Sequence, residues 1–184
     1  MSPIEIQPLP PAASDDATLM RRITDLTNAV YAVAEDGLWT EGATRTTVDE
    51  ITGLTRNGQI AVARLDGGLV GSIRVRRLDE GTGEFGMLVA DPAHRGAGVG
   101  RELVRFAEGK CRTEGLGTMQ LELLVPRDWS HPWKEFLATW YTRVGYRVTR
   151  TGTIDEAYPA LAPLLATRCD FVIYQKDLAA GATA

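Results

Sequence analysis

Residues 59 to 125 place three short strand-like runs before a glycine-rich junction and a long amphipathic run. "QIAVARL" and "LVGSIRVRRL" flank Asp66-Gly67-Gly68, and "GEFGMLVA" follows a Gly81-Thr82-Gly83 turn. An Asp-Gly pair between alternating apolar runs is a strong hairpin signal, so these strands should pair antiparallel. Then come Arg95 and three glycines at alternate positions, Gly96, Gly98 and Gly100. Beyond them Val99, Leu103, Phe106, Ala107 and Cys111 share one helical face, with Arg101, Glu102, Arg105 and Glu108 on the other. "TMQLELLV" restores strand alternation. A strand, a helix and a strand in succession require a crossover and a local parallel pair. The predicted class is therefore α+β, a mixed and mostly antiparallel sheet flanked by helices.

The remaining segments fit one such sheet. "IEIQPL" reads as a first strand, and Ser14 and Asp15 as N-caps for a helix carrying Leu19, Ile23, Leu26 and Val30. Thr47 and Glu50 form a capping box before Val48, Ile51 and Leu54. "PWKEFLATWYTRV" predicts a helix with Phe136, Leu137, Trp140, Tyr141 and Val144 in a stripe. "YRVTR" and "CDFVIYQKDL" close the chain as strands around a proline-containing helical insert, residues 155–166. That insert should pack back on its own domain, a homodimer contact being the other option. No linker-like stretch divides the chain, so residues 1–178 are expected to form one domain and 179–184 a flexible tail.

Composition narrows the function. A net charge of −4 gives no basic footprint for nucleic acid. His94 and His131 are the only histidines, and with Cys111 and Cys169 they make no metal-ligand spacing, so no metal site is expected. No apolar run is long enough for a bilayer, and no segment resembles a signal peptide. A cytoplasmic protein with free thiols and no membrane partner is the expectation.

Glycines at a helix start bare backbone N–H groups that have no partner inside the helix and sit at its positive end. Such a loop can cradle an anion. "RGAGVG" is not a P-loop, because no Gly-Lys-Ser/Thr follows. It also fails the dinucleotide fingerprint, since the third glycine would fall on Arg101 or Leu103. The spacing Arg95-x-x-Gly98-x-Gly100 resembles instead the Arg/Gln-x-x-Gly-x-Gly/Ala pattern of the GNAT superfamily of N-acetyltransferases. "WYTRVGYR" is similar to that family's Tyr-x-x-x-Gly-Phe/Tyr segment, and the element order matches along nearly the whole chain.

The resemblance implies a GNAT-like fold with splayed central strands and acetyl-CoA as co-substrate. Arg95, Gly96, Ala97, Gly98, Val99 and Gly100 would receive the pyrophosphate of coenzyme A. The backbone of Leu88, Val89 and Ala90 would pair with its pantetheine arm. Tyr141 matches the family tyrosine that protonates the departing thiolate. Glu84 matches a position where some members carry the general base, acting directly or through water. Where many relatives offer an asparagine after the fifth strand, this chain has "VPRDWSHPW", and Pro126 has no N–H to donate. Two segments are candidates for an acceptor pocket: residues 127–133, and the acidic loop with Glu35, Asp36, Trp39 and Glu41. The implied activity is acetyl transfer to a primary amine, a small molecule in preference to a protein, by direct attack in a ternary complex. A non-catalytic acyl-CoA sensor or scaffold is the rival from another class. Monomer and homodimer are both open.

Overall fold

A computed structural model of the chain describes residues 2–179. The strands are β1 (Glu5–Pro8), β2 (Ile60–Leu65), β3 (Gly68–Arg77), β4 (Thr82–Ala90), β5 (Thr118–Pro126), β6 (Arg147–Gly152) and β7 (Cys169–Asp177). The helices are α1 (Ala17–Ala34), α2 (Val48–Arg56), α3 (Val99–Thr113), α4 (Pro132–Arg143) and the one-turn α5 (Ile154–Ala157). The predicted order of elements holds. Of the predicted tail 179–184, all but Ala179 lies outside the described residues.

The strands form one seven-stranded sheet, ordered β1-β2-β3-β4-β5-β7-β6. Every neighbouring pair is antiparallel except β4 and β5, the pair joined by the α3 crossover. Asp66 and Gly67 take positive φ angles of 50° and 78° between β2 and β3, the twist a two-residue hairpin needs. No helix among the described residues is long and apolar enough to cross a membrane.

Alternation along β2 sets the layers. Ala61 and Ala63 join a core with α3 and α4 side chains, including Leu103, Ala107 and Tyr141. Ile60 and Val62 point the other way, to Met20 and Ile23 of α1 and Ile51 of α2. The helices α1 and α2 thus cover one face, and α3 and α4 the other. A third cluster, Leu38, Leu124, Ile154, Cys169 and Phe171, lies under the insert, with Trp39, Tyr158 and Leu165 against it. Thr40 N–H donates to Leu164 O at 2.8 Å and Ala166 N–H to Leu38 O at 2.9 Å. The insert packs back on its own domain, as expected.

Four local expectations need correction. The N-cap of α1 is Asp16, whose Oδ1 accepts from Leu19 N–H at 2.9 Å; Ser14 and Asp15 belong to a short 3-10 turn before it. Thr47 caps α2, but Glu50 returns its carboxylate to Thr46 Oγ1 at 2.6 Å, so the box closes one residue early. On α4 Phe136 is 56% exposed while Lys134 is buried on an ion pair with Glu35 at 2.9 Å. Glu108 of α3, expected on the wet face, is likewise buried, accepting from Lys176 Nζ and Tyr146 Oη, both at 2.9 Å. Periodicity ranks side chains by polarity and has no view of a partner arriving from elsewhere in the chain.

Candidate active site

The site is built around a split in the sheet. β4 and β5 are in register only at their starts, Thr82↔Thr118, Gly83↔Met119 and Glu84↔Gln120, and then part. A bulge in β4 accompanies the parting. Between Ser72↔Val89 and Arg74↔Gly86 the chain advances two residues on β3 and three on β4. The extra residue is accommodated at Met87, a non-glycine at φ 49°. That left-handed conformation costs about 1–2 kcal/mol and persists because packing on the α1 face holds it.

Past the bulge, Asp91 N–H donates to Val70 O at 2.8 Å, and Val89 pairs with Ser72. Antiparallel ladders alternate, so Val89's backbone groups face β3 and those of Leu88 and Ala90 face the gap. Directly beyond this free edge the chain turns through Asp91, whose Oδ1 accepts from Ala93 N–H at 2.9 Å, into the glycine loop. Gly96 and Gly98 have φ of 86° and 88°. Gly98 is the N-cap of α3 and offers no side chain, so the first N–H groups of α3 are bare. Arg95 is exposed, its guanidinium 5.2 Å from the Trp133 ring centroid. Ala97 is partly buried against the core, and Val99 anchors the first turn in it. A Cβ on Gly100 would stand 3.8 Å from Trp140 Cη2, an ordinary contact, so neither space nor a positive φ requires glycine there, unlike the other two.

Tyr141 lies on the α3/α4 face, 6% exposed, among Phe85, Tyr146 and Tyr174 with ring centroids 6.1–6.2 Å away. Burial, and then the Tyr31 and Tyr174 phenols, raise its pKa above the ordinary tyrosine value, so it keeps its proton at neutral pH. The carboxylates are on the opposite face. Glu84 is 1% exposed and held by Arg74 Nη2 at 2.5 Å and Arg76 Nε at 2.9 Å, its other oxygen unpartnered. Gly86 makes room for this arrangement, because a Cβ there would sit 2.8 Å from Arg74 Nη2.

On that same face a cavity of about 570 Å³ opens between α1, the 35–45 loop, the split and the insert. Glu84 does not line it; Arg74 in front of it does, with Glu122 of β5. Glu122 accepts from Tyr158 Oη at 2.9 Å. Burial first, and the neighbouring Glu84 charge second, push Glu122 up to about 7. Of the acidic loop, Glu35, Asp36 and Trp39 line the cavity and Glu41 does not. Of residues 127–133, Arg127 to His131 line a separate depression with Lys134 and Glu135, and Trp133 does not.

Sequence reasoning missed Glu122, Arg74, Arg45, Tyr31 and Tyr158. A signal existed for two of them. Glu122 interrupts "LELL", and Arg74 alternates with Arg76 on an otherwise apolar strand; charges there need a reason. Nothing local distinguishes the other three.

The model of the Acetyltransferase (GNAT) family matches residues 23–135. No curated protein matches the chain. Among solved structures, the fold is similar to YncA, a putative acetyltransferase from Salmonella typhimurium solved with its cofactor acetyl-CoA. The TM-score is 0.67 at 19% identity, covering 96% of this chain and 95% of that one. It is also similar to the PaiA N-acetyltransferase from Thermoplasma acidophilum in complex with coenzyme A, with TM-score 0.69 at 16% identity over 95% and 99% of the two chains. An aminoglycoside 6'-acetyltransferase type Ii gives TM-score 0.64 at 17% identity over 95% and 97%. At these identities the likeness is one of fold. The family match spans more than half of the chain, from α1 across the split strands into α4, and the chain belongs to the GNAT acetyltransferase family.

Proposed function

We propose that the protein transfers an acetyl group from acetyl-CoA to the primary amine of a small molecule, by direct attack in a ternary complex. The split between β4 and β5 carries this reading. It joins a free strand edge and bare helix N–H groups to a cavity holding a carboxylate titrating at about 7. The residues present fit the co-substrate. The first N–H groups of α3 with Gly96 and Gly98 suit a pyrophosphate, and the backbone of Leu88 and Ala90 suits an amide-bearing arm. Bound there, acetyl-CoA supplies an activated thioester.

The chain's own groups do the rest. Glu122 faces the cavity and takes the proton that the amine loses; a base near pH 7 is matched to that task. Glu84, the base expected from the sequence, has a different part in this reading. Two guanidiniums hold it, and its charge keeps Glu122 basic. On the other face Tyr141 gives its proton to the departing sulfur. The C–S bond breaks, the N–C bond forms, and one proton is lost by nitrogen as one is gained by sulfur. A backbone N–H at the bulge polarises the carbonyl.

The test is thiol release when the protein meets acetyl-CoA and a panel of primary amines. Release above the rate without amine is expected for at least one. Tight acetyl-CoA binding with no acceptor-dependent thiol would place the protein with non-catalytic binders.

A further inference from the structure

We propose that the acceptor is a free amino acid with an apolar side chain, its carboxylate received by Arg45. The proposal rests on the acetyl-transfer reading above, and it follows from which charges in the cavity are already used.

Four of the ionisable groups lining the cavity have polar partners. Glu35 accepts from Lys134 Nζ at 2.9 Å and from Trp39 Nε1 at 2.6 Å. Glu50 accepts from Thr46 Oγ1, Glu122 from Tyr158 Oη, and Arg74 donates Nη2 to Glu84. Asp36 is exposed at the rim, where water screens it. Arg45 differs. It is half-buried, its guanidinium packs 5.0 Å from the Tyr31 ring centroid, and among the described residues no carboxylate lies within 4.0 Å of it. The neighbouring Tyr31 phenol first, also through a hydrogen bond, and then Glu35 and Glu50 sustain its charge, and neither carboxylate closes on it. A fixed, partly desolvated guanidinium with open donors is a receptor for a planar anion. Arg74 adds a second cation to the wall, with its Nε meeting no acceptor.

Much of the remaining surface is apolar, with Tyr31, Trp39, Phe85, Tyr158 and Phe171 on the wall beside aliphatic side chains. An α-amino acid presents three groups from one carbon, and the cavity wall offers a partner for each: Glu122 for the amine, Arg45 for the carboxylate and the apolar wall for the side chain. A polycation is the competing acceptor class, because Glu35, Asp36, Glu50 and Glu122 also line the cavity, and spermidine in the panel tests it. A peptide N-terminus is disfavoured, since it carries an amide where Arg45 asks for a carboxylate.

The experiment compares L-phenylalanine, L-phenylalaninamide, phenethylamine and spermidine, by calorimetry on the coenzyme A-saturated protein and by acetyl-CoA-dependent thiol release. L-Phenylalanine is expected to bind about 10–100-fold more tightly than its amide, the worth of a charge-assisted contact. In Arg45→Gln that ratio should fall toward one, and in Arg45→Lys part of it should return. Acetyl-CoA affinity and melting temperature, measured alongside, show that both variants are folded. Equal affinities for acid and amide, no detectable binding of either, a preference for spermidine, or a ratio untouched in Arg45→Gln would overturn the assignment. Selective binding of the acid without thiol release would sink the transfer reading and leave the carboxylate site standing.

Discussion

Glu122 offers the sharpest test, because its two neighbours act on it in opposite directions. With its pKa at about 7, it is about one-tenth ionised at pH 6 and about nine-tenths at pH 8. Only the ionised form is a base, so the rate should rise about tenfold between those values. Tyr158 Oη donates to the carboxylate at 2.9 Å and favours the ionised form. Tyr158→Phe should therefore move the limb up by about one pH unit. The Glu84 charge favours the protonated form. Glu84→Gln removes that charge and also frees Arg74 and Arg76 to attract Glu122, so the limb should move down by about one unit or more. The assay is the single-turnover rate against pH for the three proteins with one acceptor. Its own titration is common to all and cancels from the comparison. Glu122→Gln should lose about 10²–10⁴-fold and the limb with it. Shifts of the same sign in Tyr158→Phe and Glu84→Gln, or a limb that survives in Glu122→Gln, would refute the assignment.

Three further outcomes are expected. Gly98→Glu puts a carboxylate into the anion loop at a φ of 88°, so acetyl-CoA binding should vanish in calorimetry while the melting temperature falls only slightly; undiminished affinity in the folded variant would move the pyrophosphate elsewhere. Tyr141→Phe keeps the ring in its aromatic cluster, so single-turnover rates should drop about 10²–10⁴-fold at unchanged acetyl-CoA affinity. If the rate holds and only stability changes, Tyr141 is core. Glu108→Gln leaves Lys176 and Arg112 without their buried counter-charge and should cost about 1–3 kcal/mol in denaturant unfolding at neutral pH.

The amino-acid sequence by itself settled what neighbours along the chain decide. Alternation in "QIAVARL" and "TMQLELLV", the Asp66-Gly67 turn and the spacing of Gly96 and Gly98 each act within a few residues, and each appears in the structure where local stereochemistry demands. The glycine loop was legible for that reason, being one continuous segment. The cavity was not. Tyr31, Arg45, Arg74, Glu122 and Tyr158 come from five stretches, and only the sheet order and the return of the insert onto Leu38 and Thr40 bring them together. Glu84 shows the boundary most clearly. Its place at the start of β4 was readable, yet Arg74 and Arg76 reach it from the next strand, in a register set by the hairpin. Whether a buried carboxylate meets a cation, another carboxylate or an open cavity depends on side chains distant in sequence. Pattern along the chain carries no record of which face of which strand will lie opposite. The tertiary structure alone decided which acids face the cavity and which arginine on its wall meets no carboxylate among the described residues.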